Sequence, residues 1–235
     1  MKILSVGDIH GKSIWEKIDT KKYDEIIFIG DLYDAFEYTN NVIHNNALAL
    51  IQWAHEAGNV KFIIGNHDAH YFKWHTPVFK QIRGSGYSAN QLYRAYNLYI
   101  KNKELFKIAY EKKNYLWTHA GLSNSSYNKH IHPNENAMRD TFNFKTLAEV
   151  LNYMWDINHL GLFRVPLSRR GNDTYGSLLW ADRSDTIEDP LSGYHQIVGH
   201  TSCEDIIHKD LNDKTSITYI DCLNKQIGKF YEIDI

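Results

Sequence analysis

The chain has 235 residues, which is enough for one domain with a sizeable hydrophobic core. Its formal net charge of −2 argues against a protein whose main task is to grip nucleic-acid backbone, because such proteins carry an excess of Lys and Arg. Cys203 and Cys222 are too few for a disulfide scaffold, the start does not read as a signal peptide, and no stretch reaches the roughly 20 apolar residues of a membrane span. We therefore expect a cytoplasmic protein with free thiols.

Three short apolar strands and one helix are predicted in the first part of the chain. The strands cover Lys2–Val6, 25–29 and 60–64, and each runs into a Gly-Asp or Gly-Asn pair. Apolar residues at helical spacing predict a helix over Asn40–Ala57, with Gly58 as its C-terminal cap. This order is typical of parallel strands with right-handed crossovers, whose carboxyl ends gather at one edge of a sheet.

The middle of the chain reads as mostly helical. Residues 69–111 show a helical pattern with breaks near Pro77 and at 83–86. We interpret this stretch as a helical insertion within a single domain that spans residues 1–235. A fourth strand is predicted at Tyr115–Thr118.

The last part combines a helical stretch, a polar loop and a run of strands. Residues 134–159 are predicted to be mostly helical, and the polar segment 162–176 reads as a surface loop. Strands are predicted near 196–198, 203–207, 217–220 and 228–233, and a turn at 212–214 indicates an antiparallel meander. Strands that alternate with helices, followed by a run of strands, favour two packed sheets with helices outside.

Six residues that follow apolar strands have the side chains that a pair of divalent metal ions requires. Asp8 and His10 are separated by one residue, so a loop can turn both toward one ion. Asp31 is the natural bridge between two ions about 3.5–4 Å apart. The other members are Asn66, His119 and His200. Oxygen and imidazole ligands without thiolates suit Mn, Fe, Zn or Ni and do not fit a Cys-rich structural zinc site.

Five motifs resemble those of the calcineurin-like metallophosphoesterases, especially the branch of phosphoprotein phosphatases and symmetrical diadenosine tetraphosphatases. They are GDIHG at 7–11, GDLYD at 30–34, GNHD at 65–68, HAG at 119–121 and GHT at 199–201. The resemblance implies an α/β fold, a four-layer αββα sandwich of two packed mixed sheets with helices outside.

The same resemblance implies a cofactor of two divalent metal ions. We expect Mn first, with Fe, Zn, Ni or Co as alternatives. One ion would bind Asp8, His10 and Asp31. The other would bind Asp31, Asn66, His119 and His200.

The resemblance also implies a mechanism in which a metal-activated hydroxide attacks phosphorus. His67 is our candidate general acid for the leaving oxygen, and Asp34 would orient it and favour the imidazolium. His70 attracts attention because GNHDAH resembles the GNHDxH of the symmetrical diadenosine tetraphosphatases, but it is assigned no ligand role.

One departure from the family pattern concerns the phosphate clamp. Protein phosphatases of this branch carry an Arg directly after the second Asp of the second motif, where this chain has Ala35. Phosphate binding must then come from elsewhere or be weaker, and an arginine can hold phosphate oxygens with two hydrogen bonds. Arg183 in LLWADR is the first candidate, and Arg169 with Arg170 comes next.

Three functions remain open from the sequence. The first is a phosphomonoesterase of the Ser/Thr protein phosphatase-like type, and the second is a hydrolase of dinucleoside polyphosphates or nucleic-acid ends. The third is a non-catalytic binding protein with the same fold, which is disfavoured because every expected ligand is present. The expected partner is a phosphorylated substrate, namely a phosphoprotein, a nucleotide or a small phosphoester. No membrane association or extended nucleic-acid binding is expected, and the oligomeric state is open.

Overall fold

Alternating strands and helices organise the chain, and the computed structural model describes residues 1–78 and 83–235. The helices are α1 Asn40–Ala57, α2 Asn66–Phe72, α3 Leu92–Lys101, α4 Asn124–His130, α5 His132–Phe142, α6 Leu147–Asp156 and α7 Arg183–Thr186. The strands are β1 Lys2–Val6, β2 Glu25–Phe28, β3 Val60–Ile63, β4 Phe106–Lys107, β5 Ala109–Lys112, β6 Tyr115–Thr118, β7 His195–Val198, β8 Ile207–Asn212, β9 Thr215–Tyr219 and β10 Tyr231–Asp234. Short 3-10 turns connect several of these elements.

Two mixed sheets form among the described residues. The first has the order β10-β1-β2-β3-β4, in which β1, β2, β3 and β4 are parallel and β10 runs antiparallel to β1. The second has the order β5-β6-β7-β9-β8, with β6, β7 and β9 parallel and both edge strands antiparallel. The predicted fold class, two packed mixed sheets with helices, is therefore confirmed.

Alternation along β1 explains how the layers pack. Ile3 belongs to a buried cluster that joins the two sheets and includes Trp117 of β6. Ser5, on the same face as Ile3, accepts a hydrogen bond from Trp117 Nε1 at 2.9 Å. Leu4 points the other way and shares the main core cluster with α1, because successive side chains of a strand face opposite sides. One face of the first sheet thus meets the second sheet and the other face meets helix α1.

Helix α1 begins and ends where the sequence predicts. Thr39 caps its N-terminus by accepting a hydrogen bond from the Val42 N–H. Gly58 ends it in the left-handed conformation, with φ 75°.

Two predictions about the chain's course are wrong. The end of the predicted helical stretch 69–111 forms β4 and β5 instead, which carry the chain from the first sheet to the second. Residues 79–82 of this stretch lie outside the described residues. The tail is not an antiparallel meander, since β7 pairs with β9 in parallel and β10 returns to the first sheet. Only the hairpin of β8 and β9 is antiparallel as predicted, and β8 begins at Ile207 rather than near residue 203.

Candidate metal centre

The predicted ligands come together at one end of both sheets. Asp8 and His10 follow β1, Asp31 follows β2, and Asn66 opens α2, which begins after a two-residue gap from β3. The remaining two, His119 and His200, follow β6 and β7 of the second sheet. Parallel strands bring their carboxyl ends to the same edge, and the facing of the two sheets brings the two edges together.

The first group of donor atoms lies around Asn66. Its Oδ1 is 2.8 Å from His119 Nε2 and 2.8 Å from His200 Nδ1, and these two ring nitrogens are 3.1 Å apart. Asp31 Oδ2 is 3.4 Å from His119 Nε2. The carbonyl of Ile29 accepts a hydrogen bond from His119 Nδ1 at 2.7 Å, which turns the lone pair of Nε2 toward the group.

The second group contains Asp8, His10 and Asp31. His10 Nδ1 donates to the carbonyl of Tyr33 at 3.0 Å, and His10 Nε2 lies 3.6 Å from Asp31 Oδ2. In each group the ligand atoms of the charged or imidazole residues lie within 4.8 Å of one another. Asp31 is the residue that the two groups share.

The electrostatics of the group favour positive charge at its centre. Burial alone would lower the pKa of His119, but Asp31 and Asp8 outweigh it and raise that pKa to about 9. Burial would raise the pKa of Asp31, yet the surrounding histidines, led by His119, hold it well below its ordinary range. A divalent cation would supply the same charge in place of a proton, so the donor set fits metal ions.

Gly65 allows the close approach of α2 to Asp31. A Cβ at this position would lie 2.0 Å from Asp31 Oδ1 and 2.5 Å from the Asp31 backbone nitrogen. The missing side chain also lets the His67 N–H donate to Asp31 Oδ1 at 2.9 Å. The glycine before Asn66 is therefore required by crowding around the shared carboxylate.

His67 and Asp34 form the predicted pair. His67 Nδ1 donates to Asp34 Oδ2 at 3.1 Å, which leaves Nε2 as the nitrogen that can exchange a proton with a ligand. Burial lowers the pKa of His67, but Asp31 and Asp34 more than compensate and raise it to about 9. His67 also lines the large cavity above the donor groups.

That cavity has a volume of about 1070 Å³ and is bordered by four arginines, Arg83, Arg164, Arg169 and Arg170. Arg169 is fixed in place, since its Nε lies 2.9 Å from Asp182 Oδ2 and its guanidinium donates to Thr201 Oγ1 at 2.7 Å. Arg183 is not among the described residues that line this cavity. Of the three arginines predicted to hold substrate, the structure brings Arg169 and Arg170 to the site.

Sequence reasoning missed several residues around the centre. Asp68 Oδ2 accepts the Gly65 N–H at 3.1 Å, and its Oδ1 accepts the Leu32 N–H at 2.9 Å, so Asp68 ties the second motif to the third. Gly65 is the N-cap of α2 and Asp68 its third helical residue, so only the half of a capping box forms in which the Asp68 carboxylate accepts from the N-cap N–H. A second missed residue is Asp221, which lies just after β9 and is buried. Its burial and the negative charge of Asp31 raise the pKa of Asp221 to about 6. Nothing in the local sequence marks Asp221.

The calcineurin-like phosphoesterase family model matches residues 1–203. The chain belongs to this family. It is therefore a phosphoester hydrolase, and the family implies divalent metal ions and phosphorylated substrates. No curated relative matches this calcineurin-like phosphoesterase.

Solved structures share the fold of this calcineurin-like phosphoesterase at low identity. A mutant cold-active protein tyrosine phosphatase is 17% identical with a TM-score of 0.52, and the match covers 97% of this chain and 72% of that one. A second structure described as a cold-active protein tyrosine phosphatase is 16% identical with a TM-score of 0.51, covering 97% and 71%. The cold-active protein-tyrosine phosphatase of a psychrophilic Shewanella species is 17% identical, with a TM-score of 0.49 and coverage of 97% and 72%. At these identities the first two matches support the fold alone.

Among residues 1–78 and 83–235, no helix is long and apolar enough to cross a membrane.

Proposed function

We propose that this calcineurin-like phosphoesterase is a binuclear metal-dependent phosphomonoesterase of the Ser/Thr protein phosphatase-like type. The observation that carries the proposal is the position of Asp31, which both groups of donor atoms share. A carboxylate between two ligand sets is the arrangement that a two-metal hydrolase requires. Asp8 and His10 would complete one site, and the other would use Asn66 with the two histidines that follow β6 and β7.

The bound cations would lower the pKa of water and neutralise charge on the phosphoryl group, and Mn is our first choice. The chain's own residues then have distinct tasks. Arg169 would hold the phosphoryl oxygens, the task that protein phosphatases of this branch give to the arginine at the position of Ala35. Its contact with Thr201, which directly follows ligand His200, keeps it beside the metal groups. Arg170, on the same cavity wall, would add positive charge.

His67 would donate a proton from Nε2 to the leaving oxygen of the ester. Asp34 accepts from Nδ1 of the same ring, so it fixes the ring's orientation and stabilises the protonated form. An alkoxide is a poor leaving group and needs this proton, whereas a nitrophenolate leaves without it. The acid role therefore predicts a dependence of rate on the leaving group.

A second candidate is hydrolysis of a dinucleoside polyphosphate or a nucleic-acid end. The size of the cavity and the four arginines on its border favour it, because a single phosphate group fills only a small part of that volume. A non-catalytic binding role is the third candidate, and it has least support because the full donor set is present.

Activity assays separate these candidates. The purified protein is first assayed on an aryl phosphate with Mn²⁺, Co²⁺, Ni²⁺ or Zn²⁺, and lack of turnover by the folded protein with all four ions would overturn the enzyme proposal. A panel of phosphopeptide, diadenosine tetraphosphate, cyclic nucleotide and 3′-phosphorylated oligonucleotide then separates the first two candidates, with the phosphopeptide expected to be the best substrate.

The acid role of His67 is tested with substrates of different leaving groups. His67→Ala should slow hydrolysis of an alkyl phosphate by about 100-fold or more and 4-nitrophenyl phosphate much less. His208→Ala, on the exposed strand β8, is the matched control and should leave both rates unchanged. An equal loss on both substrates in His67→Ala would contradict the acid role.

A further inference from the structure

The Asp34 carboxylate lies against three side chains of helix α2, two of which form hydrogen bonds with it. Its Oδ2 lies 3.1 Å from His67 Nδ1 and 2.7 Å from His70 Nε2, and its Oδ1 accepts a hydrogen bond from the Tyr71 hydroxyl at 2.5 Å. His70 and Tyr71 are fully buried. Asp34 itself is 5% exposed, so its orientation depends on these contacts rather than on water.

A loop formed by residues 83–88 supports two of those three side chains from behind. The Gly84 N–H donates to His70 Nδ1 at 3.4 Å, and the Ser88 N–H donates to the Tyr71 hydroxyl oxygen at 2.9 Å. Burial lowers the pKa of His70, which favours the neutral ring. With Nδ1 accepting from Gly84, the proton of the neutral ring lies on Nε2, the nitrogen beside Asp34.

The same loop also touches Asp34 directly. Gly86 has φ 82°, and a Cβ there would lie 2.9 Å from Asp34 Cβ. A residue other than glycine would therefore push the 83–88 loop and Asp34 apart.

The other side of the 83–88 loop borders the cavity. Arg83, Gly84 and Ser85 line it together with His67. Gly84 packs against the Trp180 ring, since a Cβ on Gly84 would lie 2.8 Å from its Cη2 atom. A substrate in the cavity thus meets the same loop whose backbone supports the partners of Asp34.

We propose that His70 and Tyr71 are positioning residues, which transmit the placement of the 83–88 loop through Asp34 to His67. This inference rests on the proposed acid role of His67. It predicts that the loop sets how well the enzyme hydrolyses esters with poor leaving groups. The contacts of His70 and Tyr71 with Asp34 involve neither a proposed metal ligand nor an arginine, so substitutions of these two residues leave binding of the phosphoryl group and of metal ions unchanged.

Two substitutions test the positioning role of Tyr71 and His70. Tyr71→Phe removes the donor to Asp34, and His70→Asn keeps an acceptor near the Gly84 N–H but is too short to reach Asp34. Each should lower kcat for an alkyl phosphate by about ten-fold or more, change kcat for 4-nitrophenyl phosphate by less than about three-fold, and leave KM and metal content unchanged. His70→Gln, whose amide can reach the position of Nε2, should restore most of the alkyl phosphate rate.

Controls separate positioning from loss of structure. Tyr99→Phe also deletes a buried hydroxyl, one that accepts from Trp155 Nε1, and it should leave the ratio of the two rates unchanged. Gly86→Ala should reproduce the selective loss by displacing the loop from Asp34. Gly193→Ala has a similar φ of 85° but open space around its Cβ, so it should affect stability alone.

The outcomes distinguish the inference from the function on which it rests. If His67→Ala shows the leaving-group dependence but Tyr71→Phe, His70→Asn and Gly86→Ala do not, the positioning role is wrong and the acid role stands. If these variants lose both rates equally, they act through general structure and the inference is overturned. If His67→Ala itself shows no such dependence, the acid role fails and the positioning role fails with it.

Discussion

Adding one methyl group at Gly65 should disable the metal centre. The backbone of Gly65 has φ −89° and ψ 172°, which alanine adopts without strain, so the effect comes only from the new Cβ. This atom would lie 2.0 Å from Asp31 Oδ1, and a separation of at least 3.0 Å requires the shared carboxylate or helix α2 to move by about 1 Å. A misplacement of this size at a catalytic centre costs about 100-fold in rate, which corresponds to about 2.7 kcal/mol.

The assay for Gly65→Ala combines kcat/KM for 4-nitrophenyl phosphate with Mn²⁺ affinity from calorimetry. We expect kcat/KM to fall about 100-fold and the affinity to fall by at least ten-fold. Gly58→Ala is the control: its φ of 75° makes alanine strained, but no atom lies within 4 Å of its Cβ. It should lower the melting temperature without changing affinity or rate. Unchanged metal affinity and rate in Gly65→Ala would refute the crowding around Asp31.

The metal ions, the arginines at the cavity and one buried lysine should each have a measurable effect. Removing metal with EDTA should lower the melting temperature, measured by differential scanning calorimetry, by about 5 °C or more, because bound ions stabilise the folded state. The Asp31→Ala variant should show little of this EDTA-dependent shift. Arg169→Met should raise KM for phosphate esters about ten-fold or more in steady-state kinetics, whereas Arg183→Met should have a smaller effect; the reverse order would show that Arg183 is the clamp. Burial lowers the pKa of Lys73 to about 8, so the unfolded state binds more protons above that pH. The free energy of unfolding should therefore rise by about 2 kcal/mol from pH 7 to pH 9.5 relative to Lys73→Met, and parallel pH profiles of the two proteins in urea titrations would contradict this.

The strand ends that carry the proposed ligands were predictable because local sequence determines them. An apolar run followed by Gly-Asp or Gly-Asn predicts both a strand and the polar residue at its carboxyl end. Parallel topology then places those polar residues close together. For Asp8, Asp31 and Asn66 this reasoning needs only the order of elements along the chain. Predicting the positions of His119 and His200 also required knowing that the second sheet packs face to face with the first. That information came from the family resemblance.

The parts that were wrong depend on pairing between distant segments. Strand β4 has two residues, and its conformation is set by β3 beside it rather than by its own propensity. Strand β10 alternates like any edge strand, and alternation does not specify which sheet it joins. The single domain of residues 1–235 and the cytoplasmic location stay predictions.

Two of the missed contacts, those of Asp182 and His70, join segments that are distant in sequence, so no local motif predicts them. LLWADR drew attention to Arg183, but the structure shows Asp182 of that segment holding Arg169. His70 stood out in GNHDAH without a role. Its contact with Asp34 becomes visible only when the 83–88 loop and the second motif are seen together.

We propose that Asp31 joins two metal ions in one hydrolytic site. Measuring Mn content per chain by mass spectrometry, alongside hydrolysis of 4-nitrophenyl phosphate, tests it most directly. We predict two ions per chain with turnover for the wild-type protein, and loss of turnover with fewer than two ions for folded Asp31→Ala. Full activity with a single ion, or two ions retained by Asp31→Ala, would contradict a site in which two ions share the Asp31 carboxylate.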